Sequence, residues 1–228
     1  MLSTFKKVLV FSAHPDDEII GCGGSLKLLA NWGAEINVVI ATAGDSGISP
    51  CYFNKNNISD IRWNESQKTK EIIGIKELLS LGYKTQELTN NKKIFHQCIT
   101  IIRKLKPDLV MIHSAKDKHR DHKTLANISM EAVWKAWENI MPDLGKRHKV
   151  RETWIYEIVD PLDRPDIVIN IDQTIDTKLE CLSYHVSQQE ILEGIQHYLK
   201  GLAMVRGFSI GCLFGEAFKF CNIFPRMG

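Results

Sequence analysis

The chain has 228 residues, a net charge of +2, 44% hydrophobic and 25% charged residues, which is ordinary for a soluble globular protein with one sizeable α/β core or two small ones. Basic residues are scattered and group only in short pieces such as Arg103-Lys104 and Lys146-Arg147-His148-Lys149, which argues against nucleic acid as the main partner. No segment is long and apolar enough to span a membrane, and Met1 to Lys7 carries no signal-peptide pattern, so cytoplasm is the expected compartment. Six widely spread cysteines without a Cys-x-x-Cys read as reduced thiols, not as a disulfide framework or a thiolate metal site.

In chain order, Lys7 to Ser12 is predicted to be a buried strand, because its apolar run is continuous and not alternating. Pro15 stops that strand. Glu18 to Asn31 reads as a helix with Asp16 or Asp17 near its N-cap and Gly33 beyond its end. Glu35 to Thr42 is a second buried strand, completing a right-handed βαβ unit. Ala43 to Ser59 is a Gly-, Ser- and Asn-rich loop. Asp60 to Ser80 is predicted helical and ended by Gly82, and Asn91 to Lys106 is a further helix ended before Pro107. Leu109 to His113 is a third buried strand, Ser114 to Arg120 a polar loop and His122 to Glu138 a helix. Thr153 to Val159 and Asp166 to Ile171 are strand candidates. Lys178 to His185 and Gln188 to Val205 look helical, and Glu216 to Cys221 is a short closing segment. Alternation of strands and helices implies an α/β fold: a Rossmann-like open, mostly parallel sheet with helices on both faces, in a single domain over 1–228.

Two polar clusters fall at strand ends, where ligands of such sheets bind. The first is His14-Pro15-Asp16-Asp17-Glu18; the second is His119-Arg120-Asp121-His122. His14, Asp17 and His122 form a two-histidine, one-carboxylate set that suits zinc and leaves one position for water. The same donors do not exclude Fe2+ or Mn2+. Asp16 and Asp17 are adjacent, so their side chains diverge and Asp16 is free to act as a general base. His119 and His122, three apart at a helix start, share a face. Asp121 is placed to hold His119 protonated, so that the imidazolium stabilises an oxyanion or protonates a leaving amine. The reaction these residues point to is metal-assisted attack of water on an acyl carbon.

Ala13-His14-Pro15-Asp16-Asp17-Glu18, the Gly44-Asp45 loop, Arg62-x-x-Glu65 and the His119-x-Asp121-His122 box resemble the PIG-L/LmbE superfamily of zinc-dependent N-deacetylases. The likeness continues into Lys178, His185-x-Ser187-Gln188 and Gly215-Glu216-Ala217-Phe218, covering nearly the whole chain. Arg120 departs from the family's usual proline. The resemblance implies a Rossmann-like fold and removal of an N-acetyl group from a glucosamine-type sugar or its conjugate. It also implies zinc on His14, Asp17 and His122, base Asp16, and an oxyanion or acid role for His119. It makes Arg62 similar to a substrate-binding arginine.

Blander readings stand beside these. Gly21-Cys22-Gly23-Gly24 lacks the glycine that a dinucleotide loop needs at Leu26, so close helix packing is the expected use. Arg62 would otherwise pair with Glu65 on the surface, His113 would be a satisfied core histidine, and Asp45 either contacts substrate hydroxyls or caps its loop. His185 either reaches the site as a substrate contact or ends a helix. Trp134, Trp137 and Trp154 are expected in the core, with a sugar-stacking surface as the alternative. Rival functions are a metal hydrolase of a non-sugar N-acyl amide and a non-catalytic metal- or sugar-binding module; an NAD oxidoreductase is the weakest. The expected partner is a small amino-sugar substrate, and a homo-oligomer is left open.

Overall fold

The computed structural model describes residues 2–47 and 57–224. Its strands are β1 (Lys7–Ser12), β2 (Glu35–Thr42), β3 (Glu77–Tyr83), β4 (Leu109–His113), β5 (Glu152–Tyr156), β6 (Ile167–Asn170) and β7 (Gly215–Phe220). They form one seven-stranded sheet in the order β3-β2-β1-β4-β5-β7-β6. All pairs from β3 to β5 are parallel, and β7 runs antiparallel to both β5 and β6. The helices are α1 (Asp17–Asn31), α2 (Ile58–Ile73), α3 (Lys92–Leu105), α4 (Arg120–Trp137), α5 (Ile175–Ser183) and α6 (Ile195–Phe208). The mostly parallel α/β sheet expected from the sequence is the one observed.

The continuous apolar run of β1 follows from burial on both faces. Successive side chains of a strand point to opposite sides. Val8 and Val10 join one core with Leu26 and Leu29 of α1, while Leu9 and Phe11 join the other with Ile99 of α3 and Val133 of α4. These four apolar side chains of β1 are fully buried. The short glycine run is a packing device. A Cβ at Gly21 would run into the Tyr156 ring, and one at Gly24 would lie 3.0 Å from Ile171.

The largest departures from the expected boundaries are at α2, β3 and the start of α6. Helix α2 ends at Ile73, because Gly74 adopts φ 92 and closes the last turn in the left-handed conformation. Residues 77–80, expected at the end of that helix, belong instead to the edge strand β3, which runs on to Tyr83. Its half-polar sequence carries only a weak strand pattern, and pairing with β2 decides the outcome. Helix α6 begins at Ile195, after Gly194 at φ 76, and not at Gln188. Of the cysteines, Cys22, Cys98, Cys181, Cys212 and Cys221 are free thiols; Cys51 lies outside the described residues. Among the described residues no helix is long and apolar enough to cross a membrane.

Strand β7 is locked to α5 by a buried charge pair and to α1 by backbone hydrogen bonds. Lys178 Nζ donates to Glu216 Oε1 at 2.6 Å, both side chains being almost fully buried. Glu216 also accepts the backbone N–H groups of Gly24 (2.9 Å) and Ser25 (2.7 Å). Removing one member of such a pair leaves the other charge buried and uncompensated. Lys178→Met is therefore expected to destabilise the fold by about 3–5 kcal/mol, read as a lowered denaturant midpoint at unchanged slope.

Candidate active site

Strand β1 is paired with β2 on one side and β4 on the other, so the chain reverses its winding direction at β1. The crevice beyond the carboxyl ends of β1 and β4 is where such sheets bind ligands. Residues 13–18 leave β1 there, and residues 114–122 leave β4. The turn at the end of β1 requires unusual backbone: Asp16 adopts φ 137, which ordinary side chains rarely tolerate and Asp tolerates better than most. Its carbonyl accepts from Ile19 N and Ile20 N, so the bend and the helix start are one feature.

His14 Nδ1, Asp17 Oδ2 and His122 Nε2 converge at one point. His14 Nδ1 is 3.2 Å from both other atoms, and His122 Nε2 is 3.4 Å from Asp17 Oδ2. Donors around a tetrahedral zinc ion at about 2.0–2.1 Å lie roughly 3.3 Å apart, so this triangle fits an ion. Two other sets, His14 with His119 and His122, and Asp17 with His113 and His122, are also close enough to share one. The groups that face their ring nitrogens separate the four imidazoles. His14 Nε2 faces Asp121 Oδ2 at 3.1 Å and His122 Nδ1 faces Asp117 Oδ1 at 3.2 Å. A carboxylate favours a proton on the nitrogen it faces, which leaves the lone pairs of His14 Nδ1 and His122 Nε2 for the common point. The Asp117 contact is an ion pair without aligned hydrogen-bond geometry. By contrast, His113 Nε2 accepts Ala13 N–H (2.9 Å) and His119 Nδ1 accepts Asp121 N–H (3.2 Å). Each of these rings then carries its proton on the other nitrogen and has no lone pair to give.

The field at this point is strong. Burial works against an ionised Asp17, yet His122 and His14 outweigh it and hold the carboxyl well below its usual range. Burial likewise opposes a charged His122, but Asp17 and Asp117 raise it to about 10. A divalent cation would replace the imidazole proton as the positive charge facing these carboxylates.

Asp16 turns away from Asp17, as adjacent side chains must. Its Oδ2 accepts from Arg62 Nη2 at 3.1 Å. Burial pushes its carboxyl up to about 6 against the pull of Arg62. Arg62 is 4% exposed and also donates to the carbonyls of Pro15 (3.0 Å) and Gly44 (3.2 Å). Glu65 does not pair with it; its carboxylate accepts Ser187 N–H (2.8 Å) and Oγ–H (2.6 Å). Glu18 accepts Ser12 Oγ–H at 2.9 Å and so braces the bend.

Other expectations are corrected by the contacts. Asp121 does not hold His119 protonated. Its Oδ2 serves His14 and the backbone N–H of Gln86 (2.8 Å), while burial and the neighbouring His14 and His122 push His119 down. His119 is the N-cap of α4 and presents a neutral Nε2–H. Asp45 does not line the cleft; its Oδ1 accepts Thr85 N–H at 2.8 Å and ties two loops together. Trp154 is buried, whereas Trp134 and Trp137 are exposed and partly covered by Lys135 and Arg147. Arg120 is exposed at the first position of α4, a position that proline also suits.

These groups open onto a cleft of about 550 Å3 that includes His14, Asp16, Asp17, Arg62, His119 and His122. Gln86, whose backbone sits at φ 67, and Thr85 form its rim. Asp117, Thr85 and Gln86 escape sequence reasoning. Asp117 is one more charge in a polar loop, and Thr85 and Gln86 follow the edge strand β3 with no chemistry-bearing pattern around them. A carboxylate two residues before His119 was the available signal.

The fold and site define an α/β protein with a candidate metal-hydrolase centre at the sheet's switch point. The family model described as PIG-L: GlcNAc-PI de-N-acetylase matches residues 9–133, and the chain belongs to this family of deacetylases. It is 31% identical over 193 residues to the probable N-acetyl-alpha-D-glucosaminyl L-malate deacetylase 2 of Bacillus cereus, covering 82% of this chain and 86% of that one. The structure of N,N'-diacetylchitobiose deacetylase from Pyrococcus horikoshii superposes with a TM-score of 0.87 at 27% identity, covering 96% and 85% of the two chains. The 4-oxalmesaconate hydratase of Pseudomonas putida is 26% identical over 212 residues, covering 89% and 80%.

Carboxylates that orient metal-binding histidines are typically worth 10- to 100-fold in affinity. Asp117→Asn is expected to weaken divalent-metal binding by about that factor, measured by chelator competition with zinc as the probe ion, with the fold's melting midpoint little changed.

Proposed function

We propose that this protein is a metal-dependent hydrolase that removes the N-acetyl group from an N-acetylated amino sugar of the glucosamine type, or its conjugate. His14, Asp17 and His122 hold the ion, with zinc the expected metal and Fe2+ or Mn2+ suited to the same donors. The cytoplasm is its proposed compartment. The observation that carries the reading is the three-atom convergence with Asp16 beside it, pinned by Arg62 in the same cleft.

Bound there, the ion supplies Lewis acidity toward a water and the amide carbonyl. Asp16 is the base that takes the proton of the attacking water at a carboxylate oxygen. Arg62 contacts Asp16 directly, so its role is to aim that carboxylate and keep it ionised at neutral pH. His119 Nε2–H faces the cleft as a neutral donor for the oxygen that becomes negative as the carbonyl is attacked. The proton held by Asp16 is then available to the leaving amine.

A metal-dependent hydratase is the second reading, favoured by the Pseudomonas putida relative. Acetate release from N-acetylglucosamine and its conjugates separates the two, since a hydratase releases none. Asp16→Asn keeps a residue that tolerates the bend at φ 137 and removes the base. The expected outcome is a kcat lower by about 10²- to 10⁴-fold, with the metal content of the purified variant unchanged. Unchanged turnover would sink the assignment of the base.

A further inference from the structure

His185 is 2% exposed, and neither of its ring nitrogens has a hydrogen-bond partner among the described residues. It precedes the short turn Val186–Gln188. Its ring borders a chamber of about 230 Å3 whose wall also includes Asp16, Leu182, Gln188 and Gln196. Asp16, Gln188, Leu192, Gly194 and Ile195 line the main cleft as well, so the two spaces meet at Asp16.

A neutral imidazole presents one N–H donor and one lone-pair acceptor, and leaving both unmade in a buried place is costly. The group that satisfies His185 must donate and accept. Burial and the charge of Arg62 push the ring down to about 3, so it offers no cation to a carboxylate or phosphate. A carboxylate only accepts and an ammonium only donates, whereas a hydroxyl does both. Gln188 Nε2 is already committed to Gly47 O (3.0 Å) and Ser187 Oγ (3.2 Å), leaving its Oε1 to accept. Leu182, Leu192 and Ile195 add apolar wall, and a mostly apolar lining with a few placed polar atoms is how small-molecule sites are built. One water occupies roughly 30 Å3 in the liquid, so a single bridging water does not fill this chamber.

We infer that the chamber between Asp16 and His185 is a second subsite, which takes an uncharged, hydroxyl-bearing ring joined to the N-acetylated sugar. The inference rests on the amino-sugar reading above and narrows it to neutral glycosides or polyol conjugates, against anionic or lipid ones.

The test has two arms. In the first, acetate release is compared for N-acetylglucosamine, its glucose disaccharide and N-acetylglucosaminyl malate. The neutral disaccharide is expected to exceed both others in kcat/KM by about tenfold or more. In His185→Phe the ratio of disaccharide to monosaccharide is expected to collapse toward one, and His185→Gln, which keeps a donor and an acceptor, to restore part of it. An equal loss on both substrates would mean that His185 only supports the fold, and would overturn the subsite. The second arm needs no variant and no turnover. The 15N ring signals of His185 in the wild-type protein are followed on adding cellobiose or malate; movement with cellobiose alone is expected, and no movement overturns the subsite. Should no sugar release acetate while cellobiose still moves those signals, the deacetylase reading fails and the subsite stands.

Discussion

Asp17 is a carboxylate almost wholly removed from water, and an ionised carboxylate in such a place is costly unless opposite charge and hydrogen bonds surround it. The surroundings supply both. The backbone N–H of His14 donates to its Oδ2 at 2.7 Å, and His14, His113 and His122 approach the same oxygen. The bend at Asp16, the N-terminus of α1 and the first turn of α4 are all placed by the need to bring those groups to one oxygen. A helix N-terminus adds a favourable field for the negative charge.

A second layer decides how the imidazoles are used. Asp121 and Asp117 each face the outer nitrogen of a histidine whose inner nitrogen points to the common vertex. His113 and His119 spend their acceptor nitrogens on backbone N–H groups instead. Asp121 also anchors the rim, since the oxygen that faces His14 accepts from Gln86. The rim residue with left-handed backbone is thereby tied to the partner of a candidate metal ligand, and a shift in one is felt by the other.

The base is held from the opposite side. Arg62 reaches Asp16 from α2, and three residues on in the same helix Glu65 captures Ser187. Gln188 then reaches across to Gly47. One helix thus fixes the base and docks the turn that carries His185, which explains why residues 185–188 and 62–65 matter together although each looks ordinary alone. Lys178 and Glu216 do similar work further out, bracing α5 and α1 against β7 without reaching the cleft.

Much of the fold was legible in the chain because its signals are local. Val8 to Phe11 is apolar on every residue, and only a strand covered on both faces needs that. His14, Asp16 and Asp17 were legible for the same reason: three chemistry-bearing residues sit within four positions at a strand end, and adjacent side chains diverge. Residues 77–83 were not legible, because an edge strand with alternating exposure takes its identity from its partner β2. Nor were the tautomer-setting role of Asp121, the retreat of Asp45 to Thr85 or the chamber at His185, since each depends on which groups meet across 35 to more than 100 residues of chain; Asp117 is only five residues from His122, but its place depends on how the loop after β4 folds. The amino-acid sequence by itself determined which chemistry the strand ends could carry. Only the tertiary structure decided which nitrogen faces which oxygen, because hydrogen bonds and buried charges are settled by distance in space and not by separation along the chain.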